Sequence, residues 1–355
     1  MSNGTFIVDR VEAARRVLVG IAYGDAMGMP TETLTQSAIR TRFGRVTGFQ
    51  PSPHGADVPF ERDFIAGQVT DDTDNTMMLC RMLIETHGRI DANLFVAALT
   101  NWLESDPTSG FAVGPSTRRA VEAIRAGVPI DQAGRTGTTN GAAMKIAPIG
   151  IIDDYQDLRK LAADVASVCT PTHNTTIAIQ GAATVAACVS YGIHVATGER
   201  SLDWDDWYGI IGDALNEASG YGYSYPSADL ACRIEYGRDL ADKEPDDGRF
   251  EERLYSFMGT GLETSETVPA AISIVYRYRG DLRRVIECTA NIGGDTDTIG
   301  AISGAMCAGL GFDIADDAIR TLERVNRLDF SSVAESLIKA CDRGKGEDNE
   351  QERSS

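Results

Sequence analysis

The stretch that most constrains the fold is Asn291 to Gly304, N-I-G-G-D-T-D-T-I-G-A-I-S-G. Asp295 and Asp297 stand two residues apart, so on one continuous helix their side chains diverge by about 200°. Both therefore belong to a turn before a helix, and Gly293 and Gly294 give that turn its backbone freedom. From Thr298 onward, Ile299, Gly300, Ala301, Gly304, Ala305 and Ala308 read as a helix with a face of small residues, which requires a closely packed neighbour. Taken alone, an acidic turn ahead of a helix is ordinary capping chemistry.

A second stretch far upstream repeats the chemistry. Gly67 to Asp74, G-Q-V-T-D-D-T-D, again sets carboxylates and hydroxyls before an apolar helical run that includes Met77, Met78, Leu79, Met82 and Leu83. If the two turns converge, Asp71, Asp72, Asp295 and Asp297 crowd together. Each like-charge pair at 4 Å then costs about 4 kcal/mol at an effective dielectric near 20. Such a cluster calls for protons or cations, and oxygen-only ligands favour two hard ions such as Mg²⁺, Mn²⁺ or Ca²⁺ over zinc. An EF-hand is excluded, because the twelfth position from Asp295 is Met306.

No stretch shows the sustained period-two alternation of a sheet, so the expected class is all-α. Helical spacing is expected from Val8 to Tyr23, leading to a turn at Gly24–Glu32, and again at Asp74–Thr86, Asp91–Leu103 and Pro115–Ala126. Thr41 to Ala66 reads as a long irregular loop containing His54, and Ser105 to Gly114 as a Gly-rich break. A helix near Asp157–Val168 is followed by Thr170–Thr175, expected to open a long Ala-rich helix that reaches Tyr191 with His173 in its first turn. Ser201 to Phe250 reads as short helices with loops, and further helices are expected at Val268–Tyr278, Ile314–Val325 and Ser331–Cys341. With no internal repeat or linker, residues 1–342 are expected to form one domain, and 343–355 a disordered acidic tail.

The net charge of −19 argues against nucleic acid or an anionic membrane as partner. Seven cysteines without a C-x-x-C read as free buried thiols of a reducing compartment. Neither a leader pattern at the N-terminus nor a run of about 18 apolar residues is found, so a cytoplasmic location is expected.

Five ordered blocks between about Gly20 and Asp329 resemble the ADP-ribosylglycohydrolases, the family of dinitrogenase reductase activating glycohydrolase and the ADP-ribosyl-acceptor hydrolases. They are G-D-A-M-G-M-P-T-E at Gly24–Glu32, T-D-D-T at Thr70–Thr73, N-G-A-A-M at Asn140–Met144, T-H-N at Thr172–Asn174 and G-G-D-T-D-T at Gly293–Thr298. The resemblance implies an orthogonal helical bundle with a binuclear Mg²⁺ or Mn²⁺ site in a cleft. Thr70, Asp71 and Asp72 would hold one ion, Asp295 and Thr298 the other, and Asp297 would bridge. It further implies catalytic roles for Glu32, Asp72 and Asp297, with Glu32 near the scissile bond as general base or gate and Asp25 supporting the ligands. Asn140, Gly141, Ala142, Met144 and His173, with Gly114, would line the ADP-ribose pocket.

The implied activity is hydrolysis at ribose C1 of small-molecule or protein-linked ADP-ribosyl substrates. Lys145 stands where many members have arginine, and Val113–Thr117 lacks a carboxylate expected in arginine-directed members. G-P-S-T at Gly114–Thr117 and T-S-E-T-V-P at Thr264–Pro269 resemble bacterial-type members associated with nucleoside metabolism, which makes small N- or O-ribosyl compounds an alternative. A second alternative is a non-catalytic, crystallin-like binding protein of the same fold.

Overall fold

The computed structural model describes residues 7–352 apart from 57, 60, 106–112 and 312, with side chains up to residue 344. In chain order the helices are α1 (Arg10–Gly28), α2 (Gln36–Phe43), α3 (Asp71–Glu85), α4 (Ala92–Ser105), α5 (Pro115–Arg125), α6 (Ile130–Ala133), α7 (Ala147–Ile152), α8 (Leu158–His173) and α9 (Thr176–Ala196). There follow α10 (Trp204–Ala218), α11 (Leu230–Lys243), α12 (Asp247–Arg253), α13 (Thr264–Arg277), α14 (Leu282–Thr289), α15 (Thr296–Gly309), α16 (Asp316–Asn326) and α17 (Phe330–Glu352). Among the described residues there is no strand, only two isolated bridges, Thr139 with Glu263 and Thr175 with Tyr223. The class is all-α.

The axis of the molecule is the pair α1 and α15. Gly20, Gly24 and Gly28 recur every fourth residue on α1 and face Gly304, Gly300 and Thr296 on α15. A Cβ added at Gly24 would lie 1.9 Å from the Gly300 carbonyl oxygen, and one at Gly304 2.1 Å from that of Gly20. Only glycine lets two helix backbones approach this closely. The glycine stripe also explains a difference from the sequence reading: Gly24–Gly28 continue α1 as helix, and the chain turns only at the 3₁₀ segment Met29–Thr31. Asp25 is thus inside a buried helix.

Helix α9 packs across this pair and passes through the core. By length and composition it is apolar enough to span a bilayer, yet 89% of its most apolar window is buried inside the protein. One contiguous hydrophobic cluster links α1, α3, α9, α13 and α15.

Other boundaries depart from expectation. Helix α8 runs through Pro171 to His173, so the histidine closes α8 and does not open α9. Pro171 lies inside the helix, where it forgoes a backbone hydrogen bond to the preceding turn. Residues 201–250 form two regular helices, α10 and α11, because Asp203 and Asp229 cap them and Trp204, Trp207 and Tyr208 pack with each other and Tyr276. Cys232 is exposed, whereas the other six thiols are buried as expected. Helix α17 extends to Glu352, into the stretch read as a tail from residue 343. Residues 353–355, and most of the break at Ser105–Gly114, lie outside the described residues.

Candidate active site

The two acidic turns converge. Gly293 and Gly294 both adopt positive φ, near 82° and 83°, and a Cβ at Gly294 would lie 2.2 Å from the Thr260 carbonyl oxygen. Asp295 follows as N-cap of α15, with its N–H donated to that carbonyl at 2.7 Å. Asp297, expected in the turn, is already in the first turn of the helix. Across from it, Thr70 caps α3, and Asp71 and Asp72 begin that helix.

Asp25 joins the two. Its carboxylate accepts from the Thr70 N–H at 3.0 Å, from the Thr73 N–H at 3.1 Å and from the Thr73 hydroxyl at 2.5 Å. Burial raises its pKa to about 6 against these hydrogen bonds. It is fully buried and holds the α3 N-terminus in place; it does not face the cleft.

Oxygen atoms of Asp25, Asp72 and Asp297 lie within 4.8 Å of one another, and so do those of Glu32, Asp295 and Asp297. Asp297 belongs to both groups, whereas Asp71 belongs to neither but also lines the cleft. Asp72 accepts from the hydroxyls of Thr70 at 3.1 Å and Thr298 at 3.3 Å through Oδ2, while its Oδ1 is buried with no partner among the described residues. A buried carboxylate oxygen without a donor calls for a proton or a cation. Burial first, and then the neighbouring carboxylates, raise the pKa of every acid here. Asp71, Asp72 and Asp297 are held well above the usual range, Asp295 is pushed up to about 7 and Glu32 to about 8. The donor set is carboxylates and threonine hydroxyls, which suits hard divalent cations.

The cleft above this cluster is lined by Glu32, Asp71, Asp295, Asp297 and Thr298 together with Gly114, Pro115, Thr117, Thr139, Asn140, Gly141, Met144 and Leu262. Asn140 ties the walls together, donating to Asp295 Oδ2 and, at 2.9 Å, to the Thr267 hydroxyl. Two residues expected in the pocket are not on its surface. Ala142 is buried, and His173 lies beneath Gly141, where a Cβ would meet the imidazole at 2.7 Å. Its ring is fixed by Thr139 at 3.0 Å and Thr172 at 2.8 Å and kept neutral by burial. Thr70 and Asp72 lie under the cleft floor.

Sequence reasoning missed Arg62, which donates to Glu32 Oε2 from a segment read only as irregular loop. It also missed Thr139 and Leu262, neither of which carries a chemical signature in isolation, and had Pro115 and Thr117 only within the G-P-S-T motif.

The sequence model of the family described as ADP-ribosylglycohydrolase matches residues 7–346. The uncharacterized protein YegU of Escherichia coli is 34% identical over 339 residues, covering 93% of this chain and 97% of its own. ADP-ribosyl-[dinitrogen reductase] glycohydrolase of Rhodospirillum rubrum is 26% identical over 322 residues, 88% and 89% of the two chains. ADP-ribosylhydrolase ARH3 of Mus musculus is 25% identical over 319 residues, 82% of each. A solved structure titled ADP-ribosylglycohydrolase-related protein complex superposes with a TM-score of 0.65 at 21% identity over 94% of this chain and 99% of that one, which fixes the fold alone.

Proposed function

Since the chain belongs to the ADP-ribosylglycohydrolase family, we propose that it is a metal-dependent hydrolase that cleaves the bond at ribose C1 of ADP-ribosyl compounds. The observation that carries this reading is the convergence of Asp72, Asp295, Asp297 and Glu32 in a buried cluster that leaves Asp72 Oδ1 without a partner. Three buried carboxylates and the partly exposed Glu32 repel one another, and a silent binding protein has no physical reason to keep them.

Two divalent ions, Mg²⁺ or Mn²⁺, held by Thr70, Asp71, Asp72, Asp295, Asp297 and Thr298, would supply stabilisation of developing charge and an activated water. The chain's own residues do the rest. Asn140, Gly141 and Met144 form the wall against which the ribosyl group rests, and His173, packed beneath Gly141, keeps that wall rigid. Asp25 fixes the backbone of Thr70–Thr73, so that Asp72 points at the cluster without rearrangement. Glu32, whose burial favours proton uptake, accepts the proton of the attacking water as the ribosyl centre gains oxocarbenium character.

Release of ADP-ribose from an ADP-ribosylated acceptor, with Mg²⁺ and with chelator, tests this. Metal-dependent release supports the reading; equal release under both conditions contradicts it. The motifs at Gly114–Thr117 and Thr264–Pro269 support a second reading, hydrolysis of short ribosides without a diphosphate. Turnover of a nucleoside-like riboside in preference to its ADP-ribosyl counterpart distinguishes the two.

A further inference from the structure

Helix α5 turns Ser116, Thr117, Ala120 and Val121 inward and leaves Pro115, Arg118 and Arg119 exposed. On such a buried face valine has the shape of threonine without a polar group to desolvate. Thr117 is nevertheless polar, and it is only 4% exposed. It lines the cleft, with its hydroxyl oxygen 3.6 Å from the point where a Cβ on Gly141 would stand. Helical threonines elsewhere in the chain donate their hydroxyl to the carbonyl four residues back, as Thr76, Thr86, Thr184 and Thr197 do. Thr117 is third in its helix and has no helical carbonyl at that distance to use. Thr117, Thr139 and Thr298 bring hydroxyls to the cleft lining. That of Thr139 is engaged by His173 at 3.0 Å and that of Thr298 donates to Asp72 at 3.3 Å, while that of Thr117 has no partner among the described residues.

We propose that Thr117 is a specificity-determining residue whose hydroxyl pairs with a hydroxyl of the substrate's ribosyl group, so that the cleft selects ribosyl over deoxyribosyl compounds. The inference rests on the hydrolase reading above, which sets the ribosyl group against Asn140, Gly141 and Met144; Thr117 borders that wall at Gly141. A threonine hydroxyl both donates and accepts, and so does each secondary hydroxyl of a sugar, so the pair is complementary with no charge on either side. A ligand that fills the cleft closes Thr117 off from solvent. One with a hydroxyl at that point makes good the lost hydrogen bond, whereas a deoxy analogue leaves a buried oxygen unpaired. An unpaired polar group discriminates between ligands better than a missing methylene does.

The test is a double-mutant cycle between protein and ligand hydroxyls on the Mg²⁺-loaded protein. Wild type, Thr117→Ser and Thr117→Val are titrated with ADP-ribose and with its analogues lacking the 2- or the 3-hydroxyl of the terminal ribose, and then with adenosine and its two corresponding deoxy analogues. Thr117→Val should raise the Kd of the full sugar by about tenfold or more and leave that of one deoxy analogue nearly unchanged, and Thr117→Ser should match wild type. The cycle isolates the pair, because whatever else a sugar hydroxyl contacts is lost equally in all three proteins. A Thr117→Val variant that weakens the full sugar and both deoxy analogues equally, or weakens none, overturns the proposal. Should that variant fail to fold, Thr117→Ala completes the cycle, and a wild type that binds full and deoxy sugars alike overturns the proposal without any variant. Coupling without turnover of any ribosyl compound supports Thr117 and removes only the hydrolase reading; turnover without coupling does the reverse. A wild type that binds none of these compounds overturns both.

Discussion

Asp297 is the residue on which the proposed chemistry converges, because it alone belongs to both carboxylate groups. Asp297→Asn keeps the shape of the side chain while removing its charge. It should lower turnover by about 10²–10³-fold, as loss of a preorganised electrostatic group does. The same change relieves repulsion, so the metal-free variant should melt no lower than wild type; a large fall in Tm would show that the residue serves the fold instead. The cluster also dictates a pH dependence. Asp25, Asp295 and Glu32 have folded pKa values of about 6, 7 and 8, all raised chiefly by burial. The folded state therefore binds more protons than the unfolded chain between about pH 4 and pH 8, and stability falls as pH rises through that window. Thermal melts of chelator-stripped protein should show Tm declining from about pH 5 to pH 8, and saturating Mg²⁺ should flatten the slope by favouring the deprotonated acids. A Tm that rises with pH in the stripped protein would be inconsistent with an uncompensated acid cluster.

At the scale of elements, the site depends on the crossing of α1 and α15, which brings Asp25 beside Asp297. Gly24→Ala inserts a methyl into a gap that does not exist and should cost about 1–3 kcal/mol or more, read as a fall in Tm and weaker metal binding together. Gly212→Ala, on the exposed face of α10 with nothing within 4 Å, should instead add about 0.5–1 kcal/mol. If both substitutions behave alike, close packing is not what fixes the crossing. The small face of α15 was legible in the sequence, and so was the need for a tight neighbour. Its partner was not recognised, because Gly24–Gly28 also looks like a turn, and only the four-residue spacing back to Gly20 marks it as a helix face. The two acidic turns and Asn140 were legible because carboxylates and glycines concentrate there. Arg62 was not, since it acts through a contact thirty residues away in a segment without periodicity. His173 was found as a motif residue but misplaced, because Pro171 suggests a helix break that the last turn of α8 absorbs.

The whole molecule gathers this cleft from segments spread between Glu32 and Thr298, on a core that also buries α9. Its surplus of negative charge is partly internal: the buried acids stay costly until protons or cations balance them. Binding that occurs only in the folded state then becomes stability of the entire protein, about 2.7 kcal/mol for a ligand at 100 times its dissociation constant. The most direct test of the central claim, that this cluster is a divalent-cation site serving ribosyl hydrolysis, is the Tm of chelator-stripped protein titrated with Mg²⁺ or Mn²⁺ and then with ADP-ribose. The account predicts a rise with metal, lost in Asp297→Asn, and a further rise with ADP-ribose that requires the metal. A Tm indifferent to both would contradict it.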